Sequence, residues 1–278
     1  MQFAQKTPPR IMGILNITPD SFSDGGAFLL PQLAVDHALA VEAAGADIID
    51  VGGESTRPGA DRVPADQQLR RVLPVIAALR ASLRQDTGIS IDTTLAGVAE
   101  EACAAGATML NDISAGEEDP GIFRLAAKLK VPIVLMHKQG MPASMQVRPD
   151  YTDVVGEIKG YLLSRAEAAL QCGVAANQII LDPGIGFGKT LQHNLQLLAN
   201  LSAFTSLGYP ILLGASRKAS LAQICDEADR KELVGATCAS TALGVLAGVR
   251  LFRVHDVKEN RQAAAVAWAV QRAAIQNT

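Results

Sequence analysis

Eight times along the chain, a short β-branched run ends in a polar or glycine-rich turn and gives way to an alanine- and leucine-rich stretch. The runs are Arg10–Leu15, Asp47–Val51, Ile89–Ile91, Thr108–Leu110, Pro132–Met136, Gln178–Leu181, Pro210–Leu213 and Arg250–Val254. Several are apolar almost throughout, as in IILD and ILLG, which is how strands buried on both faces of a parallel sheet read. The intervening stretches predict helices over Gln32–Ala44, Asp66–Arg84, Leu95–Ala105, Pro120–Leu129, Asp153–Gln171, Leu191–Leu207, Lys231–Ala247 and Glu259–Gln276. Asp66 is placed as a cap, Pro74 as an interruption, and Gly45, Gly106, Gly173 and Gly208 as stops. Eight strand–helix units in 278 residues fit one (β/α)8 TIM barrel, an α/β single domain with its core at about 10–276; a doubly wound open sheet is the alternative. Either topology puts ligands just beyond the C-terminal ends of the strands.

Composition narrows the partners. With 49% hydrophobic and 19% charged residues the chain is too apolar to stay disordered. Its 25 Lys+Arg against 28 Asp+Glu leave a net charge of −3, so neither nucleic acid nor a membrane surface is expected, and an anionic ligand needs a local basic pocket. Leu233–Val249 carries no charge but is short and rich in small and polar residues for a membrane span; it is expected to be a closely packed helix, at a subunit contact. Cys103, Cys172, Cys225 and Cys238 show neither C-x-x-C nor zinc-finger spacing, and reduced thiols in the cytoplasm are expected. The opening MQFAQKTPPR lacks the apolar core of a secretory signal.

The residues just past the strands are polar in every unit: Asn16, the GGESTRPG stretch, Asp92, Asn111 with Asp112, His137, Asp182, Ser216–Arg217–Lys218, and His255 with Asp256. A single Asp at such a place is ordinarily a helix cap; eight polar ends on one rim point to a site. Asp92, Asn111 and Asp182 offer acceptors and one amide, which suit the amino-pyrimidine edge of a flat heterocycle. Arg57, Lys218, Arg253 and His255 form a cationic half, near the strands where barrels commonly bind phosphate. Asn16 supplies a hard oxygen able to help hold Mg2+ on a pyrophosphate, with water and phosphate completing the shell.

Other motifs are weaker. PGIGFGKT at 183–190 has Pro183 where a phosphate-binding P-loop needs glycine, and its glycines are read as allowing close approach to a flat ligand. No H-x-H or H-E-x-x-H occurs, which argues against a hydrolytic zinc site. His37 and His193 are assigned structural or exposed roles, Trp268 a packing role, and His137 either support or ligand contact.

These segments resemble the dihydropteroate synthase family. The blocks are MGILNITPDSFSDGG, GADIIDVGGESTRPGA, SIDTT, LNDISAG, LMHKQGMPASMQ, LDPGIGFGKT, GASRK and FRVHDVKE, in order from Met12 to Glu259. The resemblance implies a (β/α)8 barrel, commonly a homodimer, that joins 6-hydroxymethyl-7,8-dihydropterin pyrophosphate to 4-aminobenzoate. It implies that Asp92, Asn111, Asp182 and Lys218 bind the pterin while Met136 and Phe187 pack on it. Asn16 would hold Mg2+, and Arg253, His255 and Thr56 the pyrophosphate. The loops carrying Phe22, Ser23, Asp24 and Thr56, Arg57, Pro58 would close over the aminobenzoate, with Asp24 and Asp92 stabilising a cationic pterin carbon. Two positions depart from the family pattern: Ala219, followed by Ser220, stands where many relatives carry Ser, and SIDTT continues as LAGV. Rival readings are a methyltransferase on the same barrel, which would not need the SRK and RVHD grip, and a pterin-binding paralogue without turnover.

Overall fold

Strands that are apolar on both faces need cover on both, and the alternating helices supply the outer layer. The structure is a computed structural model describing residues 7–17, 30–55, 61–140, 145 and 148–276. In chain order they form β1 (Arg10–Asn16), α1 (Leu30–Ala43), β2 (Ile48–Gly52), α2 (Ala65–Ser82), β3 (Gly88–Asp92), α3 (Ala96–Ala104), β4 (Met109–Asp112), α4 (Gly121–Leu129), β5 (Ile133–Met136), α5 (Val154–Gln171), β6 (Ile179–Asp182), α6 (Leu191–Ala199), α7 (Leu201–Thr205), β7 (Leu212–Leu213), α8 (Ala219–Cys225), α9 (Val234–Leu246), β8 (Leu251–Val254) and α10 (Val257–Gln276).

The strands run parallel in the order β6-β5-β4-β3-β2-β1-β8-β7. A parallel bridge between Leu181 and Ile211 joins the ends of that series, so the sheet is a barrel and not the open alternative.

Alternation along each strand sorts the side chains into two populations. Ile11, Ile49, Leu110, Ile133, Ile179 and Phe252 belong to the large core that includes the helices, whereas Met12, Ile48, Met109, Val134, Ile180, Leu212 and Leu251 form a buried cluster of their own inside the barrel. Two residues further along the same strands, toward their C-terminal ends, come Ile14, Asp50, Asn111, Met136, Asp182, Gly214 and Arg253, and Asp92 stands two past Ser90 on β3. The apolar layer is therefore a plug, and the next layer up is the floor of the site.

Several boundaries differ from expectation. Asp66 is not the cap of α2: Pro64 holds that position without a side-chain hydrogen bond, and Asp66 lies in the first turn, where its charge complements the helix dipole. Pro74 does not interrupt the helix; it is exposed, so water can serve the carbonyl that its missing N–H leaves. The stretch expected as one helix over 191–207 breaks at Asn200 into α6 and α7, and α9 starts at Val234, after a short 3-10 turn over Arg230–Glu232. The LAGV departure leaves α3 without a side-chain cap at Leu95, and Asp119 supplies one by accepting the Ala96 N–H at 2.8 Å.

Candidate active site

At the C-terminal mouth of the barrel lies a cavity of about 660 Å³, whose walls include Asn16, Phe187, Ser216, Lys218, Arg253 and His255. Asp92, Asn111 and Asp182 lie just behind these walls, each about 5% exposed. The acidic half and the described members of the cationic half, Lys218, Arg253 and His255, thus meet at one mouth. Arg253 joins them: its Nη2 donates to Asp92 Oδ2 at 2.8 Å and its Nε to Asp50 Oδ2 at 2.6 Å. Its guanidinium is held by the floor and is not free on the rim.

One guanidinium between two carboxylates sets the electrostatics. Burial raises Asp92 to about 7; Arg253 opposes the shift and Asp50 adds to it. Burial likewise raises Asp182 to about 6, against the Gly184 N–H and the charge of Lys218. Lys218 is lowered to about 8 by burial and by Arg253. Its ammonium sits 4.0 Å from the centre of the Phe187 ring, a cation–π contact that places it between ring and floor. Phe187 and Met136 pack with Ile113 and Met145 in a small apolar cluster beside the floor.

His255 is set by β7. Its backbone N–H donates to Ser216 Oγ at 3.2 Å, and the same hydroxyl lies 3.0 Å from Nδ1. If the hydroxyl donates to Nδ1, a neutral ring carries its proton on Nε2. Arg217 donates through Nε to Asp256 Oδ2 at 3.0 Å and pairs with Oδ1 through Nη2, so these two residues lock the β7 and β8 loops together. Asp112 is consumed by its own turn, accepting from Ser114 and Gly116.

The PGIGFGKT stretch corrects one reading. A Cβ on Gly184 would stand 1.9 Å from the His137 carbonyl oxygen, and one on Gly188 2.3 Å from that of Gln139. The close approach that Gly184 and Gly188 allow is to the backbone of the β5 loop, whereas Gly186 lines the cavity beside the Lys218 side chain. Lys189 completes that junction, donating to the carbonyls of Gly184 at 2.9 Å and Phe187 at 3.0 Å, with His137 Nδ1 at 2.9 Å. Burial and the Lys189 charge push His137 down to about 3, so it is a neutral support and does not line the cavity. His193 takes part in the cap of α6 with Thr190, His37 is exposed, and Trp268 packs under the Arg250 guanidinium at 4.6 Å.

Phe22, Ser23, Asp24, Thr56, Arg57 and Pro58 lie outside the described residues. The described chain on either side of the last three is tied together: Glu54 accepts from Val63 N at 3.1 Å and Gln68 Nε2 at 3.2 Å. At the departure from family pattern, Ala219 begins α8; the Ser220 hydroxyl is buried on the cavity wall without a partner among the described residues.

Sequence reasoning missed Asp50, Lys189 and the Ser216–His255 pairing. Asp50 was findable, because it stands two residues past Ile48 as Asp182 does past Ile180. Lys189 carried no such signal.

Comparison with known proteins decides among the readings. Residues 12–255 match the family described as pterin binding enzyme. The chain is 47% identical to a dihydropteroate synthase of Synechocystis sp. over 94% of this chain and 90% of the relative. The chain belongs to the dihydropteroate synthase family. Its fold superposes with a TM-score of 0.89 on the Xanthomonas albilineans dihydropteroate synthase with 4-aminobenzoic acid, 44% identical, covering 95% of this chain and 93% of that one. The same organism's enzyme in complex with 7,8-dihydropteroate gives a TM-score of 0.85 at 40% identity, over 96% and 95% of the two chains. The methyltransferase reading finds no support in these relatives.

Proposed function

We infer that this chain condenses 6-hydroxymethyl-7,8-dihydropterin pyrophosphate with 4-aminobenzoate, giving 7,8-dihydropteroate and pyrophosphate. The observation that carries the reading is the acidic floor and cationic wall at one barrel mouth, in a family whose structures include one with 4-aminobenzoic acid and one with 7,8-dihydropteroate.

Asp182 and Asn111 anchor the amino-pyrimidine edge, a carboxylate taking two parallel N–H groups and an amide offering both donor and acceptor. Lys218 reaches the carbonyl side of the ring, while Phe187 and Met136 pack on its face. Arg253 and His255, with Thr56, take up the negative charge of the departing pyrophosphate, which stabilises the leaving group in the transition state. The exocyclic carbon becomes electron-poor as that bond lengthens, and Asp92 and Asp24 face its positive charge. The arylamine is neutral at pH 7 and attacks without a strong base. Phe22, Ser23, Arg57 and Pro58 are assigned to the aminobenzoate site, where enclosing the substrate would exclude water.

Asn16 fits Mg2+ in a limited way. It offers one neutral oxygen, and no cluster of three or more His, Cys, Asp or Glu suited to a metal occurs among the described residues. Such a donor holds Mg2+ only together with phosphate oxygens and water, so the ion would arrive on the diphosphate. When bound, Mg2+ supplies charge neutralisation of the leaving group.

The assembly is read as a homodimer through α9 and α10, which pack on each other and leave Leu243, Leu246, Val266 and Val270 each at least half exposed. No helix among the described residues is long and apolar enough to cross a membrane. Four unpaired cysteines fit a reducing compartment such as the cytoplasm.

The test is incubation with the pterin pyrophosphate, 4-aminobenzoate and Mg2+. Dihydropteroate and pyrophosphate are expected in equal amounts. Pyrophosphate alone would mean hydrolysis, and pterin binding without product would mean a paralogue that has lost turnover.

A further inference from the structure

Asp50 sits at the middle of β2 with no solvent exposure and does not line the cavity. Nothing in the reaction calls on it directly. Yet its Oδ2 accepts from two site residues at once: Asn111 Nδ2 of β4 at 3.1 Å and Arg253 Nε of β8 at 2.6 Å. These partners stand on strands to either side of β2 in the barrel order. Its Oδ1 is buried without a partner among the described residues.

An asparagine amide has nearly the same shape in either flip, and only its hydrogen-bond surroundings decide which end faces where. Asp50 Oδ2 accepts from Arg253 and from Asn111 Nδ2 together, and an oxygen held as an acceptor selects the NH2 end. We propose that Asp50 is a positioning residue, fixing the Asn111 amide so that its carbonyl oxygen and its second N–H are left for the ligand, side by side. That pair complements an amino group next to a ring nitrogen acceptor, the 2-amino edge of the pterin. Asp50 thereby determines which heterocycles the floor accepts. With the opposite flip, Asn111 would turn its carbonyl oxygen toward the carboxylate, and two acceptors would face each other in a buried site. The inference rests on the pterin reading of this site.

The experiment is calorimetric titration of 6-hydroxymethyl-7,8-dihydropterin and of its 2-deamino analogue into the wild-type protein and Asp50→Asn. Neither ligand carries the diphosphate, so diphosphate contacts of Arg253 and His255 do not enter, and any loss that comes through the Arg253 floor contact should fall on both ligands alike. Asp50→Asn can itself donate, which removes the preference for one flip of Asn111. The expected result is at least a tenfold rise in the pterin Kd, little change for the analogue, and an aminobenzoate KM within twofold of wild type. In an Asn111→Ala background the same substitution should have little further effect on the pterin Kd. An unchanged pterin Kd, or equal losses for both ligands, would overturn the proposal. Should Asp50→Asn not fold, the wild-type protein still decides: one Asn111 side-chain amide proton should be exchange-protected in its NMR spectrum before any ligand is added, and two freely exchanging protons would overturn the assignment. Failure of the wild-type protein to bind the pterin at all would instead remove the functional reading.

Discussion

Gly184 and Gly208 make a matched pair for testing how tightly the β6 loop is seated. Both have φ in the left-handed region, +67° and +85°, so an alanine at either costs about 1–2 kcal/mol in backbone conformation. Their surroundings differ. A Cβ at Gly208 meets nothing within 4 Å, while one at Gly184 would stand 1.9 Å from the His137 carbonyl oxygen. The obstacle is backbone, so it cannot swing aside as a side-chain tip would. Relief needs about an ångström of movement between the β5 and β6 loops, and overpacking of this kind adds about 1–3 kcal/mol. Gly208→Ala should therefore lower stability by about 1–2 kcal/mol and Gly184→Ala by about 2–5 kcal/mol, read from urea midpoints. The loop also carries function: the Gly184 N–H donates to Asp182 Oδ1 at 2.7 Å, and His137 N donates to the Asp182 carbonyl at 3.0 Å. Gly184→Ala should weaken pterin binding at least tenfold, and Gly208→Ala should leave it within twofold. Equal midpoints for the two variants, or wild-type pterin affinity in Gly184→Ala, would refute the reasoning.

Two further outcomes follow from groups described above. In the proposed site Asp182, raised to about 6 by burial, accepts two ligand N–H groups best when ionised, and Lys218, lowered to about 8 by burial, is the stronger donor as the charged ammonium. Pterin affinity should thus fall below pH 6 as Asp182 gains a proton and above pH 8 as Lys218 loses one, each by up to about tenfold per pH unit; because Asp92 is raised to about 7, the titrations from pH 5 to 9 are made in Asp92→Asn, and an acid limb near pH 6 that Asp182→Asn leaves in place there would contradict the assignment. If the proposed dimer forms through the α9–α10 face, Leu243→Glu combined with Val266→Glu should give a monomer in analytical ultracentrifugation; a monomeric wild type would refute the dimer, and a dimer that persists in the variant would put the interface elsewhere.

Much of this architecture could be read from the chain alone because the barrel writes its rules locally. Buried parallel strands show as apolar runs, and the strand-end rule then leads to Asp92, Asn111, Asp182, Lys218 and His255. The finer errors also have local causes. A two-residue β7 is too short to fix its own limits, and the break at Asn200 has no proline or glycine between 191 and 207 to announce it. What the sequence could not disclose was the traffic between distant segments. Lys189 looks like the tail of a failed phosphate loop until its ammonium is found among the carbonyls of its own loop and His137. Arg253 reads as a phosphate clamp, and only the folded barrel brings Asp50, 203 residues away, against its Nε.

The barrel's seam gives the site one more property. Among the described residues, β6 and β7 are joined by the Leu181–Ile211 bridge, with a bond from Leu181 N to the Pro210 carbonyl at 2.9 Å. Asp182 ends the strand on one side of this gap, and Lys218 follows the strand on the other. A heterocycle gripped by both would act as a rivet across the least-stitched joint of the cylinder, reinforcing from within a seam that the backbone holds by little.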